Sequence, residues 1–227
     1  MIKQVLPRCC RGVRRGERLT NCTGADLRES RYDAFTLIEL VVVVGIIIVL
    51  AGLVLSTVGY ARKKGARARA ETEIAAISAA CENYKADNAV YPRGNADLSS
   101  TTPNDTDTLD PVNDLNPAAT PVPNVYTKAS LYLYKVLSGD STGTRSPTGK
   151  SYMQFKPNML FPADQTQNVQ FIQDPFGNSY GYSTKKASDP NANGYNPTFD
   201  LWSTANYSAQ TSPTPTPSPQ NFWIKNW

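Results

Sequence analysis

The stretch AFTLIELVVVVGIIIVLAGL, residues 34–53, carries a single charged side chain, Glu39, close to its start. From Leu40 to Leu55 every residue is Val, Ile, Leu, Ala or Gly. Counted from Phe35, the run has about 20 residues, which at ~1.5 Å per residue span the ~30 Å hydrocarbon core of a bilayer. Buried strands and the apolar regions of secretory signals are shorter, so the sequence predicts a transmembrane helix.

The net charge of the chain is confined to the segment before this run. Residues 1–34 contain eight of the 23 Lys and Arg residues and four of the 19 Asp and Glu residues. The rest of the chain holds 15 of each sign and is neutral, which argues against a nucleic-acid-binding body. A basic, polar segment ahead of an apolar run indicates a cytoplasmic targeting segment. Basic residues also follow the run (Arg62, Lys63, Lys64, Arg67 and Arg69), so loop charge alone does not fix the orientation.

A carboxylate inside an apolar membrane segment costs free energy, and the cost is smaller near the segment's end. Glu39 either lies at the level of the lipid headgroups without a specific role, or it pairs with a positive charge that the protein supplies. A free amine on Phe35, created by cutting the chain after Ala34, would be such a charge. The amine of the same chain lies four residues from Glu39, and the amine of a neighbouring subunit is the alternative.

The chain has no histidine, the commonest zinc ligand and general base. Three of its four cysteines lie in the first 34 residues with spacings that do not match a zinc site, and the fourth is Cys81. Loss of the leading segment would therefore leave no intramolecular disulfide. Cys81 is expected to be a small buried hydrophobe, with a reactive thiol as the alternative.

Helical periodicity continues beyond the apolar run. No proline occurs between Phe35 and Pro92, and Ile74, Ile77, Cys81 and Tyr84 recur at spacings of three and four. We expect one continuous helix of about 50 residues that ends in the NAVYP stretch before Pro92.

The distal half has the composition of a mixed domain. Residues 93–126 are rich in Pro, Asn, Asp, Ser and Thr and predict a long surface loop. KASLYLYKVLSGD, residues 128–140, predicts a short second helix that closes at Ser138-Gly139. Five strand-like runs follow (SYMQF, VQFI, SYGYST, TFDLWS and NFWIKNW), and DPFGN at 174–178 predicts a tight turn. Large aromatic side chains would let a small sheet cover the apolar stripe of the long helix: Tyr180, Tyr182, Phe199, Trp202, Phe222 and Trp223.

FTLIELVVVVGIIIVLAGL resembles the N-terminus of type IV prepilins and type II secretion pseudopilins. In that family a prepilin peptidase removes a basic leader just before the Phe and methylates the new N-terminus, and the fifth mature residue, Glu, supports subunit docking. The resemblance therefore implies cleavage between Ala34 and Phe35, N-methylation of Phe35 and an assembly role for Glu39. Ala34 stands where the family prefers Gly, and the leader is long for the family.

DPFGNSYGYST, FDLWS and the terminal WIKNW resemble the C-terminal half of the major pseudopilin of type II secretion. The implied fold is α+β and pilin-like: a long N-terminal helix, its first half transmembrane, packed against a short second helix and a small antiparallel sheet. The implied domains are a removed leader (1–34), a membrane and assembly helix (35–58), a periplasmic helical half (59–92) and a globular domain (93–227).

The resemblance also implies partners and a location. The partners are prepilin peptidase, copies of the chain and other pseudopilins in a filament, an inner-membrane assembly platform and lipid, without nucleic acid. The location is the bacterial inner membrane, with a single span and a periplasmic globular domain. Family members bind calcium in the loop after the Asp-Leu-Trp-Ser-like strand; here residues 204–220 contain no acid and Asp200 is insufficient, so we expect no metal or other cofactor.

Two other functions remain open from the sequence. A type IV pilus subunit for adhesion, motility or DNA uptake is the first alternative. Many such pilins close a C-terminal loop with a disulfide, whereas this sequence has no cysteine after Cys81. An anchored periplasmic enzyme is the second. The Asp and Ser residues of the chain lie in turn-like contexts such as PNDTDTLDP, and the sequence has no nucleophile elbow or phosphate-binding glycine loop, so we expect no catalysis.

Overall fold

The computed structural model describes residues 35–100, 103–117, 123–205 and 219–227. They form a mixed α+β chain: a long helix α1 (Leu37–Asn88), three shorter α-helices, two 3-10 turns (Pro157–Met159 and Pro219–Asn221) and five short strands in two antiparallel sheets. The chain divides into two compact units between Leu50 and Ala51, within α1. The expected mixed α+β class with a long N-terminal apolar helix and antiparallel strands is confirmed.

Helix α1 has the expected length and end. It contains 52 residues and stops at Asn88, where the NAVYP stretch begins. The side-chain amide of Asn88 donates to the carbonyl of Tyr84 (2.9 Å), and Ala89 adopts a left-handed conformation with φ of 61°. These two features end the helix, because the left-handed residue turns the chain away from the helical axis.

The distal part of α1 buries one face. Ile74, Ile77 and Cys81 are buried and Tyr84 is partly buried, which confirms the stripe predicted from their spacing. This face shares one hydrophobic core with helix α3 (Val125–Ser138), which contributes Leu133, Tyr134 and Leu137, and with aromatic and aliphatic residues of the sheets. The predicted second helix is therefore present, and it begins three residues earlier than the sequence suggested.

Local side-chain chemistry explains the bounds of α3. Asn124 is its N-cap and accepts a hydrogen bond from the backbone N–H of Thr127 (2.9 Å). Gly139 follows the helix with φ of 76°, the left-handed conformation that commonly terminates helices. An asparagine before a helical run is a recognisable start signal.

Two separate sheets replace the single expected one. Strands β1 (Leu160–Phe161) and β2 (Phe171–Ile172) form an antiparallel pair. Strands β3 (Gly181–Ser183), β4 (Asp200–Ser203) and β5 (Ile224–Lys225) form the second sheet, with β4 in the centre and all pairs antiparallel. Four of the five predicted runs therefore contain a strand.

The fifth predicted strand, SYMQF at 151–155, was wrong. The backbone N–H groups of Tyr152 and Met153 donate to the carbonyl of Leu137 (2.8 and 3.0 Å) at the end of α3. This segment thus caps a helix instead of joining a sheet, and the strand that pairs with β2 is β1 at Leu160–Phe161. Phe222 was also misjudged, because its side chain is 49% exposed and Trp223 is the buried neighbour.

The polar stretch after α1 is more than a surface loop, which corrects the prediction for 93–126. It contains the short helix α2 (Asp105–Thr108), and both Thr106 and Leu109 are fully buried. The N–H of Thr184, just before helix α4 (Lys185–Ser188), donates to the carbonyl of Thr106 (2.8 Å). Contacts from a distant part of the chain therefore draw this segment into the core.

The predicted turn at 174–178 is confirmed. Asp174 Oδ1 accepts the backbone N–H groups of Phe176 (3.0 Å) and Asn178 (2.8 Å), and Gly177 has φ of 94°. The turn joins β2 to β3, and Asp174 itself is buried.

Candidate functional site

The first part of α1, which we call the apolar segment (Leu37–Leu55), is exposed along its whole length. All its side chains are solvent-exposed, including those of its large aliphatic residues. It is the one helix among the described residues that is long and apolar enough to cross a membrane, and none of its apolar window is buried. A core helix of a soluble domain has the same composition but is mostly buried. Exposure of this extent means that the described part of the chain leaves most of the apolar surface of this segment uncovered.

The start of the apolar segment is closed by a reciprocal pair of side chains. Glu39 Oε2 accepts hydrogen bonds from the backbone N–H of Thr36 (2.8 Å) and from its hydroxyl (2.7 Å). In return, the N–H of Glu39 donates to Thr36 Oγ1 (3.3 Å). This arrangement is a capping box, in which the residue before the helix and the third helical residue satisfy each other's backbone donors.

The capping box was missed in the sequence, although its signature was present. TLIE at 36–39 has the Thr-x-x-Glu spacing directly ahead of an apolar run. The box gives Glu39 partners within its own chain and holds its carboxylate at the positive end of the helix dipole. Only Oε2 accepts in the described part of the chain, so Oε1 keeps its capacity for a further donor.

The predicted processing site lies beside this cap. Ala34 falls outside the described residues, and Phe35 lies just before the helix with its side chain 86% exposed. The backbone N–H of the next residue, Thr36, already contacts the Glu39 carboxylate. Phe35 and Glu39 are thus brought together at one helix end, and Ile38, Val42 and Val43 line a shallow apolar depression beside the carboxylate.

Carboxylates in the second compact unit, Ala51–Trp227, here called the globular unit, have structural partners. Those of the PNDTDTLDP stretch accept hydrogen bonds from the chain: Asp105 from the N–H of Ala96, Asp107 from Arg93, and Asp110 from Lys185 at 2.7 Å. Burial raises the pKa of Asp110, but its hydrogen bonds from Lys185, Asn193 and backbone N–H groups outweigh burial and hold the pKa well below the usual value. Asp105 thus holds the polar stretch together, and Asp110 fastens it to Lys185 at the start of α4.

The residues considered for calcium do not converge in the described structure. Asp200 is buried in β4, and its two oxygens accept the N–H groups of Tyr195 (2.9 Å) and Asn196 (2.8 Å). No group of three His, Cys, Asp or Glu side chains suitable for a metal exists among the described residues. Most of the loop that follows, residues 206–218, lies outside them, so the expectation for that loop stays a prediction.

Cys81 is fully buried in the core face of α1, and it is a free cysteine. Burial raises the pKa of its thiol, and the negative charge of Glu82 acts in the same direction. Because the thiolate is the reactive form, this environment favours the expected role as a small hydrophobic residue.

A cleft in the globular unit lies beside the end of α1 and has a volume of about 620 Å³. Lys85 and Arg93 are among its lining residues, but both are already engaged. Lys85 donates to the hydroxyl of Tyr91 (3.1 Å), and Arg93 pairs with Asp107 (2.8 Å). Among the described lining residues, both cations therefore already have a side-chain partner.

Comparisons of the chain with protein-family models, with curated proteins and with solved structures found no match. The function assigned to the chain must therefore rest on its own residues and on the resemblance of its N-terminal and C-terminal motifs. The two features that bear on it most directly are the exposed apolar segment and the capped carboxylate at its start.

Proposed function

We propose that this chain is a structural subunit of a type II secretion pseudopilus, anchored in the bacterial inner membrane and assembled into a helical filament. The observation that carries the proposal is the complete exposure of the apolar segment, which follows a basic leader and has its first turn capped by Thr36 and Glu39. The large exposed side chains of this segment must be covered, since water-exposed apolar area of this size is strongly unfavourable. Lipid covers them before assembly, and the same segments of neighbouring copies cover them in a filament.

The filament requires a contact that propagates. Head-to-tail contacts between different surfaces of identical subunits build open helical arrays, whereas self-complementary contacts close into dimers. An apolar segment that is exposed on all sides can contact several neighbours at once. Van der Waals packing would supply the adhesion between segments, and a polar group near one end would fix their alignment.

Glu39 is the proposed alignment residue. Cleavage after Ala34 would create an ammonium group on Phe35, one residue before the Thr36 backbone that already contacts the carboxylate. The capping box holds Oε2, and Oε1 is open to an ammonium group of the same or a neighbouring subunit. Burial of an uncompensated carboxylate between apolar helices is strongly unfavourable, so misaligned subunits would be disfavoured.

Processing is tested by coexpressing the chain with a prepilin peptidase and determining its N-terminus and intact mass. We expect the product to begin at methylated Phe35. Ala34→Gly serves as a positive control, because it restores the residue that the family prefers before the cut. An uncut wild-type chain beside a cut Ala34→Gly chain would show that this sequence is not a substrate.

The role of Glu39 is tested by separating its charge from its cap. Glu39→Gln keeps a side chain that can complete the capping box but removes the charge, and Glu39→Val removes both. Thr36→Val removes the hydroxyl half of the box and leaves the charge. If charge pairing aligns subunits, both Glu39 variants insert into membranes but lose most filaments, and Thr36→Val loses fewer. Filaments from Glu39→Gln at wild-type yield would reduce the role of Glu39 to helix capping.

The biological role is tested by deletion of the chain in its native host. Loss of protein release into the medium with surface fibres intact is the result expected for a pseudopilus subunit. Loss of surface fibres with normal protein release would assign the chain to a type IV pilus instead. Complementation by the wild-type chain and by Glu39→Val separates loss of assembly from loss of the protein.

A further inference from the structure

Three consecutive cations follow the apolar segment on the same helix. Arg62, Lys63 and Lys64, here called the basic triplet, are exposed. No side chain in the described part of the chain pairs with any of them. The next two arginines differ, because Arg67 pairs with Glu71 (3.3 Å) and Arg69 pairs with Glu73 (2.6 Å). The triplet is thus a concentrated positive charge that the described chain does not neutralise.

The backbone of the triplet lies just beyond the headgroup layer of a bilayer, within reach of it for long side chains. Arg62 comes seven residues after Leu55, which is about 10 Å at the helical rise. Headgroups occupy roughly 5–7 Å on each side of the hydrocarbon core. Helical side chains lean toward the helix N-terminus, which here is the side of the apolar segment, so the long side chains reach back across the remaining distance.

An exposed aromatic residue lies between the two. Tyr60 is 72% exposed, two residues before the triplet. Tyrosine is enriched at the boundary between hydrocarbon and water, because its ring is apolar and its hydroxyl is polar. The order of apolar segment, tyrosine and cations is therefore the order in which a bilayer presents hydrocarbon, interface and phosphate.

We propose that the basic triplet binds the phosphate groups of anionic phospholipids in the leaflet where the apolar segment ends. The proposal rests on the membrane-spanning part of the proposed function and is independent of filament assembly. Successive helical residues project about 100° apart, so the three cations face around the helix, as a ring of surrounding lipids requires. The nearest acids that another copy would offer on the following turns, Glu71 and Glu73, are already paired with arginines of their own chain.

The test uses the full chain reconstituted into vesicles of equal amounts of phosphatidylcholine and phosphatidylglycerol. Spin-labelled forms of each lipid report, by electron paramagnetic resonance, the fraction held at the protein surface. The variant Arg62→Gln/Lys63→Gln/Lys64→Gln is compared with wild type and with a remote control of two exposed lysines near the other end of α1, Lys128→Gln/Lys150→Gln. Arg67→Gln is a second control, because it removes a cation of the same helix that is already paired.

We expect the wild-type chain to prefer phosphatidylglycerol and the triple variant to lower that preference by about two- to five-fold, with added salt having the same effect. Both controls are expected to keep the wild-type preference. An unchanged preference in the triple variant overturns the proposal, as does an equal loss in the lysine control. Chemical cross-linking between copies is measured in the same vesicles. If the triple variant lost cross-links but kept the wild-type lipid preference, the triplet would bind protein and not lipid. If washing with carbonate released the chain from the vesicles, the chain would not span the membrane. That outcome differs from a failure of lipid binding, in which the chain stays in the vesicles and shows no preference for phosphatidylglycerol.

Discussion

Two parts of helix α1 have similar apolar residues and opposite surroundings. The apolar segment (Leu37–Leu55) is exposed throughout, whereas Ala70, Ile74, Ile77 and Cys81 are buried in the globular core. The first part is apolar on every side, and the second is apolar on one face with charged residues on the others. A helix with one apolar face is covered by one domain, and a helix that is apolar all round needs lipid or several other helices. The distribution of polar residues, more than the number of apolar ones, determines what covers a helix.

The strongest test of this comparison is a matched pair of truncations, Ile77→Ala and Ile47→Ala. Ile77 is fully buried, and Ile47 is 57% exposed. We expect Ile77→Ala to lower the free energy of unfolding of the globular unit by about 2–5 kcal/mol, and Ile47→Ala to change it by less than about 0.5 kcal/mol. Urea unfolding of the full chain in detergent, followed by tryptophan fluorescence, measures both. Equal destabilisation by the two variants would contradict the comparison.

A matched pair of glycines sharpens the same contrast. A Cβ atom on Gly181 would lie 2.2 Å from Trp202 Cε2, whereas one on Gly45 would meet nothing within 4 Å. We expect Gly181→Ala to destabilise the globular unit by about 1–3 kcal/mol, because β3 and the indole must move apart. Gly45→Ala should leave the globular unit unchanged. Thermal unfolding monitored by near-ultraviolet circular dichroism distinguishes them, and an unaltered transition in Gly181→Ala would argue against the β3–β4 packing.

The globular unit should also respond to pH through a buried acid that the apolar segment lacks. Burial raises the pKa of Asp174 to about 6, despite hydrogen bonds from Ser203 and two backbone N–H groups, and nearby Glu73 raises it further. The folded state therefore holds this proton more tightly than the unfolded state, so stability falls as pH rises from about 4 to about 6. The full effect is at most about 3 kcal/mol.

Asp174→Asn is the variant that checks this expectation. Urea unfolding between pH 4.5 and about 6.5 should show a weaker decline in stability than wild type shows. Asp200, whose pKa burial also raises, accounts for part of the slope that remains. A variant with the wild-type slope would mean that Asp174 is not the titrating group.

The smallest expected effects come from two ion pairs of equal spacing on α1. Arg69 pairs with Glu73, which is buried and also accepts a hydrogen bond from Tyr180 (2.8 Å), whereas Arg67 pairs with exposed Glu71. We expect Arg69→Gln to cost about 1–2 kcal/mol, because a buried carboxylate loses its charged partner, although Arg69 itself is partly exposed. Arg67→Gln should cost less than about 0.5 kcal/mol. Reversal of this order in urea unfolding would contradict the difference in burial.

Part of the fold could be predicted because its signals are local. The long helix, its buried stripe, the second helix with Gly139 and the turn at 174–178 all follow from the spacing of apolar residues and from turn residues. The capping box was equally local and was missed, because Glu39 was considered only as a charge in a membrane. TLIE held the signal.

Other features could not be predicted because their partners are far away in the sequence. The polar stretch after α1 is partly buried since Ser183 Oγ donates to the carbonyl of Leu109 (2.6 Å) and Thr184 binds Thr106. The strand predicted at 151–155 is absent for the same reason, because backbone N–H groups of this segment donate to the carbonyl of Leu137 at the end of α3. Composition alone predicts a loop for the polar stretch after α1 and a strand for residues 151–155.

The sequence by itself determined that one helix carries two different surfaces, because the pattern of apolar and charged residues along a helix is a local property. It also determined that Glu39 stands at the start of the apolar segment. The tertiary structure decided which strands pair, which acids are buried and where the polar stretch is held. Those outcomes depend on contacts between residues that are distant in the chain, and such contacts decide both the hydrogen-bond partners and the pKa of a group such as Asp174.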